Sequence, residues 1–181
     1  MTPLDIIKKY YHPRSKAYKI LVRHGRLVAD KALAIAGKAA GMNPDLDFIE
    51  EAAMLHDIGI FLTMRPELGC TGNQPYVCHG YLGRDLLEEN GWTRHALVCE
   101  RHLGVGISAE DVQCHNLPLP ERDMLPVSIE EQIICFADKF FSKTGTTTVT
   151  KNSVDDIIRN LETFGDDKAA KFKSWANLFG L

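Results

Sequence analysis

The sequence predicts an all-α fold. Apolar residues recur at three- and four-residue steps over most of the chain, and residues suited to helix capping bracket the periodic segments. One run alone, Thr144–Thr150, has β-like composition, and its threonine content reads as a loop. No internal repeat or low-complexity stretch divides the chain, so residues 1–181 are read as a single domain.

The first long helix is predicted from Ser15 to Ala40, with Ile20, Leu21, Val28, Ala32, Leu33, Ile35 and Ala36 on its apolar face and Gly41 as C-cap. Asn43-Pro44-Asp45 leads into a second helix through Phe48, Ile49, Ala52, Ala53 and Leu55, which Gly59 is expected to end. Pro66, Gly69, Gly72 and Asn73 make Arg65–Gln74 a loop. Helices follow near His79–Asn90 and Thr93–His102. The stretch from Leu103 to Val127, with Gly104, Gly106, Pro118, Pro120 and Pro126, is expected to be mostly irregular. Ser128 and Glu131 form a capping box for a helix running through Ile133, Ile134, Phe136, Ala137 and Phe140. Two more helices are predicted near Ser153–Phe164 and Asp166–Phe179.

A chain of 181 residues buries enough surface to fold without disulfides or metals. With 45% hydrophobic and 25% charged residues it is neither disordered nor fibrous. A net charge of −3 gives no electrostatic case for binding a nucleic-acid polymer. The opening MTPLDIIKKYYHPRSK interrupts any apolar signal core, and no apolar run is long enough for a transmembrane helix. Five cysteines, an odd number without Cys-x-x-Cys spacing, read as free thiols packed in a cytoplasmic protein. A homo-oligomer is left open.

The chemistry gathers around His56-Asp57-Ile58-Gly59, which ends an apolar helix. A carboxylate at such a buried end needs a partner, and a divalent cation is one solution. His24 precedes this pair, and Asp138 follows it after the apolar run Ile133–Ala137. An imidazole and carboxylate set suits Fe, Mn, Zn, Co or Ni, and Mg less well.

The pattern resembles the HD superfamily of metal-dependent phosphohydrolases, and the small stand-alone HDIG proteins in particular. The letters HDIG stand at 56–59, and the resemblance spans about residues 18–141, leaving 142–181 as a C-terminal helical extension. It implies an HD-domain helical bundle with its metal site in the core. His24, His56, Asp57 and Asp138 would ligate one ion, and Asp57, His79 and His102 a second, with Asp57 bridging. It also implies hydrolysis of a small phosphorylated metabolite, a nucleotide by family habit, through attack of a hydroxide shared by the two ions. Among the cations nearest the ligands (Arg23, Arg26, Arg84, Arg101 and Lys139), Arg101 and Lys139 are the candidates for holding phosphate, beside Asp57 in the catalytic set. The ligands alone leave two other readings open: a mixed-valence di-iron oxygenase of the same fold, and a non-catalytic nucleotide-binding domain. His12, His95 and His115 have no place in the pattern. Tyr76, Tyr81 and Trp92 read as packing residues, and there is no Gly-rich phosphate loop.

Overall fold

The computed structural model describes residues 1–143 and 149–181. Among these the chain forms nine α-helices and two short antiparallel ribbons. Helix α1 (Pro3–Tyr10), to which the sequence analysis assigned no element, starts at a reciprocal capping box between Thr2 and Asp5. Helix α2 (Lys16–Lys38) is capped by Ser15 and α3 (Leu46–Leu55) by Asp45. Then come α4 (His79–Glu89), α5 (Thr93–Arg101), α6 (Ala109–Cys114), α7 (Ile129–Asp138), α8 (Val154–Glu162) and α9 (Asp166–Leu178).

Several local expectations change. Gly41 does not cap α2; Ala39 does, and a 3-10 turn follows at Ala40–Met42. The Arg65–Gln74 loop contains part of a small ribbon, β1 (Met64–Arg65) paired with β2 (Cys70–Thr71). The irregular stretch after Leu103 holds α6, because Ser108 and Asp111 form a capping box there. Ser128 caps α7, but Glu131 does not complete the box. Its carboxylate instead accepts from the Val127 amide at 2.8 Å and from Arg101. Helix α7 ends at Asp138 and gives way to β3 (Phe141–Lys143), paired with β4 (Val149–Lys151). The remainder of the Thr144–Thr150 run, 144–148, lies outside the described residues.

Gly59 does not end a helix. It sits in a 3-10 turn, Ile58–Leu62, and a Cβ there would lie 2.3 Å from the His79 carbonyl oxygen and 2.6 Å from the Gly83 amide nitrogen. The HDIG glycine is therefore a close-approach residue: it lets the backbone after Asp57 press against α4, which starts at His79. Gly25 serves α2 in the same way, since a Cβ there would meet Met54 Cα of α3 at 3.1 Å.

The apolar interior has two main clusters. One joins α2, α3 and α7 to α8 and α9, with Phe136 stacked on Phe172 at 4.6 Å between ring centroids. The other packs α1 against the first half of α2, the end of α3, and α4 and α5, through Ile6, Leu21, Leu55, Ile58 and Leu87. On α2, His24 falls between Leu21 of the second cluster and Val28 of the first. No helix among the described residues is long and apolar enough to cross a membrane.

Candidate metal centre

Six polar side chains are buried where these elements meet: His24, His56 and Asp57 are fully buried, His79 and His102 are 2% exposed, and Asp138 is 7% exposed. His24 Nε2 lies 2.9 Å from Asp138 Oδ1 and 3.3 Å from both Asp57 Oδ2 and His56 Nε2. His56 Nε2 lies 3.3 Å from Asp57 Oδ2 and 3.4 Å from Asp138 Oδ1. On the other side, His79 Nε2 is 3.1 Å and His102 Nε2 3.5 Å from Asp57 Oδ1, and these two imidazole nitrogens are 3.2 Å apart. All six residues predicted from the sequence meet in one place.

Three of the imidazoles are oriented by the main chain. His56 Nδ1 donates to the Ala53 carbonyl at 2.6 Å, His79 Nδ1 to Tyr76 at 2.5 Å and His102 Nδ1 to Cys99 at 2.7 Å. A carbonyl can only accept, so each Nδ1 carries a proton and each ring turns its Nε2 inward. His56 and His102 sit where helices end and carbonyls remain free, and His79 follows the 3-10 turn Tyr76–Cys78, whose Tyr76 carbonyl its ring shares with its own backbone N–H. His24 is inside α2, where the main-chain carbonyls are already used, and its Nδ1 has no hydrogen-bond partner among the described residues.

The inward nitrogens face carboxylate oxygens and one another. Acceptor against acceptor inside a dry core is unfavourable without a proton or a cation between them. Among the described residues, Asp57 Oδ1 likewise has no hydrogen-bond partner. Donors from His24, His56 and Asp138, and again from His56, Asp57 and His102, lie within 4.8 Å of one another. Imidazole nitrogen and carboxylate oxygen at these separations suit a divalent transition ion.

Electrostatics sharpen the picture. Burial opposes ionisation of Asp57 and Asp138, yet both carboxyls are held well below the usual range. Lys143 and His56 do this for Asp57, and Lys139 with His24 and His56 for Asp138. Burial drives His24 down to about 4, reinforced by Lys143, and burial takes His102 to about 4. At His56 burial is outweighed by the two carboxylates, which raise it to about 9.

Of the two cations favoured by the sequence, one reaches the cluster. Lys139 Nζ is 2.9 Å from Asp138 Oδ2. Arg101 instead pairs with Glu131 at 3.0 Å; that buried carboxylate needs a cation, and it draws the guanidinium to itself. Lys143, which no sequence motif marks, also enters the cluster. Its ammonium lies 2.5 Å from Asp57 Oδ2 and 3.3 Å from His24 Nε2. Lys143 follows the last motif aspartate by five residues, in a segment without a motif, and only the turn from α7 into β3 aims it inward. The thiols also do more than pack: Cys99 donates to the His56 carbonyl at 2.9 Å and Cys135 to the His102 carbonyl at 3.4 Å. Of the other histidines, His95 pairs with Glu51, and His12 and His115 are exposed.

The sequence matches the HD domain over residues 21–142, two thirds of its length. The chain belongs to the HD-domain family. This HD-domain protein is 34% identical over 145 residues to an uncharacterized protein of Methanocaldococcus jannaschii, covering 78% of this chain and 75% of the other. It is also 32% identical to a tRNA (cytidine(56)-2'-O)-methyltransferase of Thermoplasma volcanium and 30% identical to that of Picrophilus torridus. Those matches cover 77% and 68% of this chain but only 35% and 32% of the methyltransferases, about a third of their length. The fold is similar to that of the HD domain of the L. monocytogenes phosphodiesterase PgpH. The complex with cyclic-di-AMP superimposes with a TM-score of 0.54 at 15% identity, covering 97% of this chain and 94% of that one. A second structure of that domain gives 0.52 at 16% identity, with coverage of 97% and 95%.

Proposed function

We propose that the protein hydrolyses a phosphoester of a small nucleotide at a pair of divalent ions held by the six-residue cluster. The observation that carries this reading is the convergence of buried ring nitrogens from four imidazoles and oxygens from two carboxylates on one point, with the ammonium of Lys139 at its edge and that of Lys143 against Asp57 and His24. His24, His56, Asp57 and Asp138 would hold one ion and Asp57, His79 and His102 the other. Bound there, the ions supply Lewis acidity toward a phosphoryl oxygen and a water acidified toward neutrality.

The chain's own groups do the rest. The main-chain carbonyls behind His56, His79 and His102 fix ring tautomer and direction before anything binds, so little reorganisation accompanies loading. Lys139 stands on Asp138 Oδ2, the oxygen turned away from the imidazoles, and Lys143 on Asp57 Oδ2, the oxygen that His24 and His56 also face; from these places their ammonium groups can meet a dianionic or monoanionic phosphoryl group. Burial of the six donors excludes bulk water and strengthens each of these charges. The nucleotide part of the proposal is supported by the cyclic-di-AMP bound to the structurally similar PgpH domain.

The test is a screen of nucleotides and other phosphoesters with Mn²⁺, Co²⁺, Fe²⁺ and Mg²⁺, run beside Asp57→Ala. Loss of the shared carboxylate is expected to lower turnover by about 10³-fold or more. Turnover that survives in Asp57→Ala overturns the proposal, as does O₂ consumption with an organic substrate and no phosphate release.

A further inference from the structure

Beside the cluster lies a cavity of about 470 Å³, within the usual range of about 300–1,000 Å³ for small-molecule sites. Lys139, next to Asp138, is on its wall, as are Val77 and Leu103, which follow Tyr76 and His102 in the chain. Lys139 therefore touches both places, with its ammonium on Asp138 and its side chain on the cavity. The remaining lining is largely apolar. It includes residues from the loop after α5, and, from the C-terminal helices, Leu161 and Phe164.

Each lining lysine has a carboxylate partner. Lys168 of α9 lies 2.6 Å from Asp111 of α6, within the cavity wall, whereas Lys139 is paired with Asp138 of the cluster, so it is the cation that an anion at the cluster end would meet. A second observation points to a ring. Phe164 lies on the cavity wall and is 65% exposed. Packing gains little from an aromatic ring left in water, whereas a planar ligand would cover it. Asn160, one turn earlier and also exposed, brings an amide to the same rim.

Building on the phosphohydrolase reading, we propose that this cavity receives the ring-bearing alcohol portion of the substrate, a nucleoside or similar flat heterocycle, while its phosphate lies over Lys139 toward the metal cluster. A cavity with one cation at one end and an apolar interior selects a phosphoester of an aromatic or heterocyclic alcohol over a sugar phosphate or inorganic polyphosphate. The C-terminal segment thus determines specificity, although every metal-cluster donor lies outside it.

Binding and turnover are read separately on the full chain. Free nucleosides, which carry no phosphate, are titrated by ligand-observed NMR against wild type, Phe164→Ala and Asn160→Trp; both positions are exposed, so the fold is expected to persist. Wild type is expected to bind nucleosides, and each variant to weaken binding about tenfold. In the Mn²⁺-loaded protein, the ratio of kcat/KM for nucleoside monophosphates to that for glycerol 3-phosphate should fall by a similar factor. Nucleoside binding that is absent, or equal in all three proteins, overturns the cavity assignment. Phosphoester turnover with no preference for a ring overturns it too, while leaving the hydrolase reading intact. Ring binding that responds to both variants, without hydrolysis under any metal, supports the cavity and overturns the hydrolase reading instead.

Discussion

The segment from α2 to α7 and the segment from α8 to α9 differ in what they bring to the molecule. The first supplies every donor of the buried cluster and carries the recognisable motif. The second carries no motif, yet Phe172, Trp175 and Phe179 are buried against Phe136 of the first segment, and Leu161 and Phe164 wall the cavity. Chemistry is concentrated where polar groups were forced inward, and shape and stability where apolar ones were. Lys143, on the strand between the segments, belongs to both: its backbone opens the C-terminal part and its ammonium enters the cluster.

That division can be broken experimentally. The largest effect is expected within the first segment. His79→Ala combined with His102→Ala should lower bound metal from about two ions per chain to about one, and turnover by about 10³-fold or more. Elemental analysis with steady-state kinetics reads both, and a wild type holding one ion removes the second site. Next is Phe172→Ala, expected to lower unfolding free energy by about 3–4 kcal/mol while metal content at 25 °C stays unchanged. Denaturant unfolding beside elemental analysis checks it, and loss of metal from the folded variant would show that the segments are not separable.

Lys143→Met tests the border residue. With metal loaded, kcat/KM should fall about 10–100-fold at constant metal content. A fall in metal content instead would make Lys143 part of ion retention, not of phosphate holding. The smallest effect concerns the tie between α6 and α9. Burial opposes ionisation of Asp111, but Lys168 and Ser108 lower its carboxyl from 3.8 to about 2. A carboxyl lowered on folding stabilises the protein above its unfolded value and loses that contribution as pH falls through the folded one. Between about pH 4 and pH 2, wild type should lose about 1–2 kcal/mol that Asp111→Asn does not have to lose. Urea midpoints across that window would show parallel curves if the ion pair contributes nothing.

Most of the helical order was legible in the sequence because helix periodicity is a local signal; the His56-Asp57 pair stood out at the end of an apolar helix, and His79 and His102 were legible through the resemblance to the HD pattern. Helix α6 was obscured by the prolines and glycines around it, although its Ser108–Asp111 cap was present in the letters. The role of Gly59 was misread for a different reason. A glycine after a helix looks like a terminator, and only the backbone of α4 pressed against it shows that the missing Cβ is what matters.

By itself, then, the sequence determined which residues had to be buried together, since a His-Asp pair closing an apolar helix cannot be left unpaired at low dielectric. Tertiary structure decided what a one-dimensional reading has no access to. It assigned Arg101 to Glu131 and gave the cluster Lys143, because a long cation goes to whichever buried carboxylate its backbone can reach. It also made the motif-free C-terminal helices into the wall of a cavity, because where two apolar faces stop touching depends on how helices cross, and no residue spacing along the chain records that.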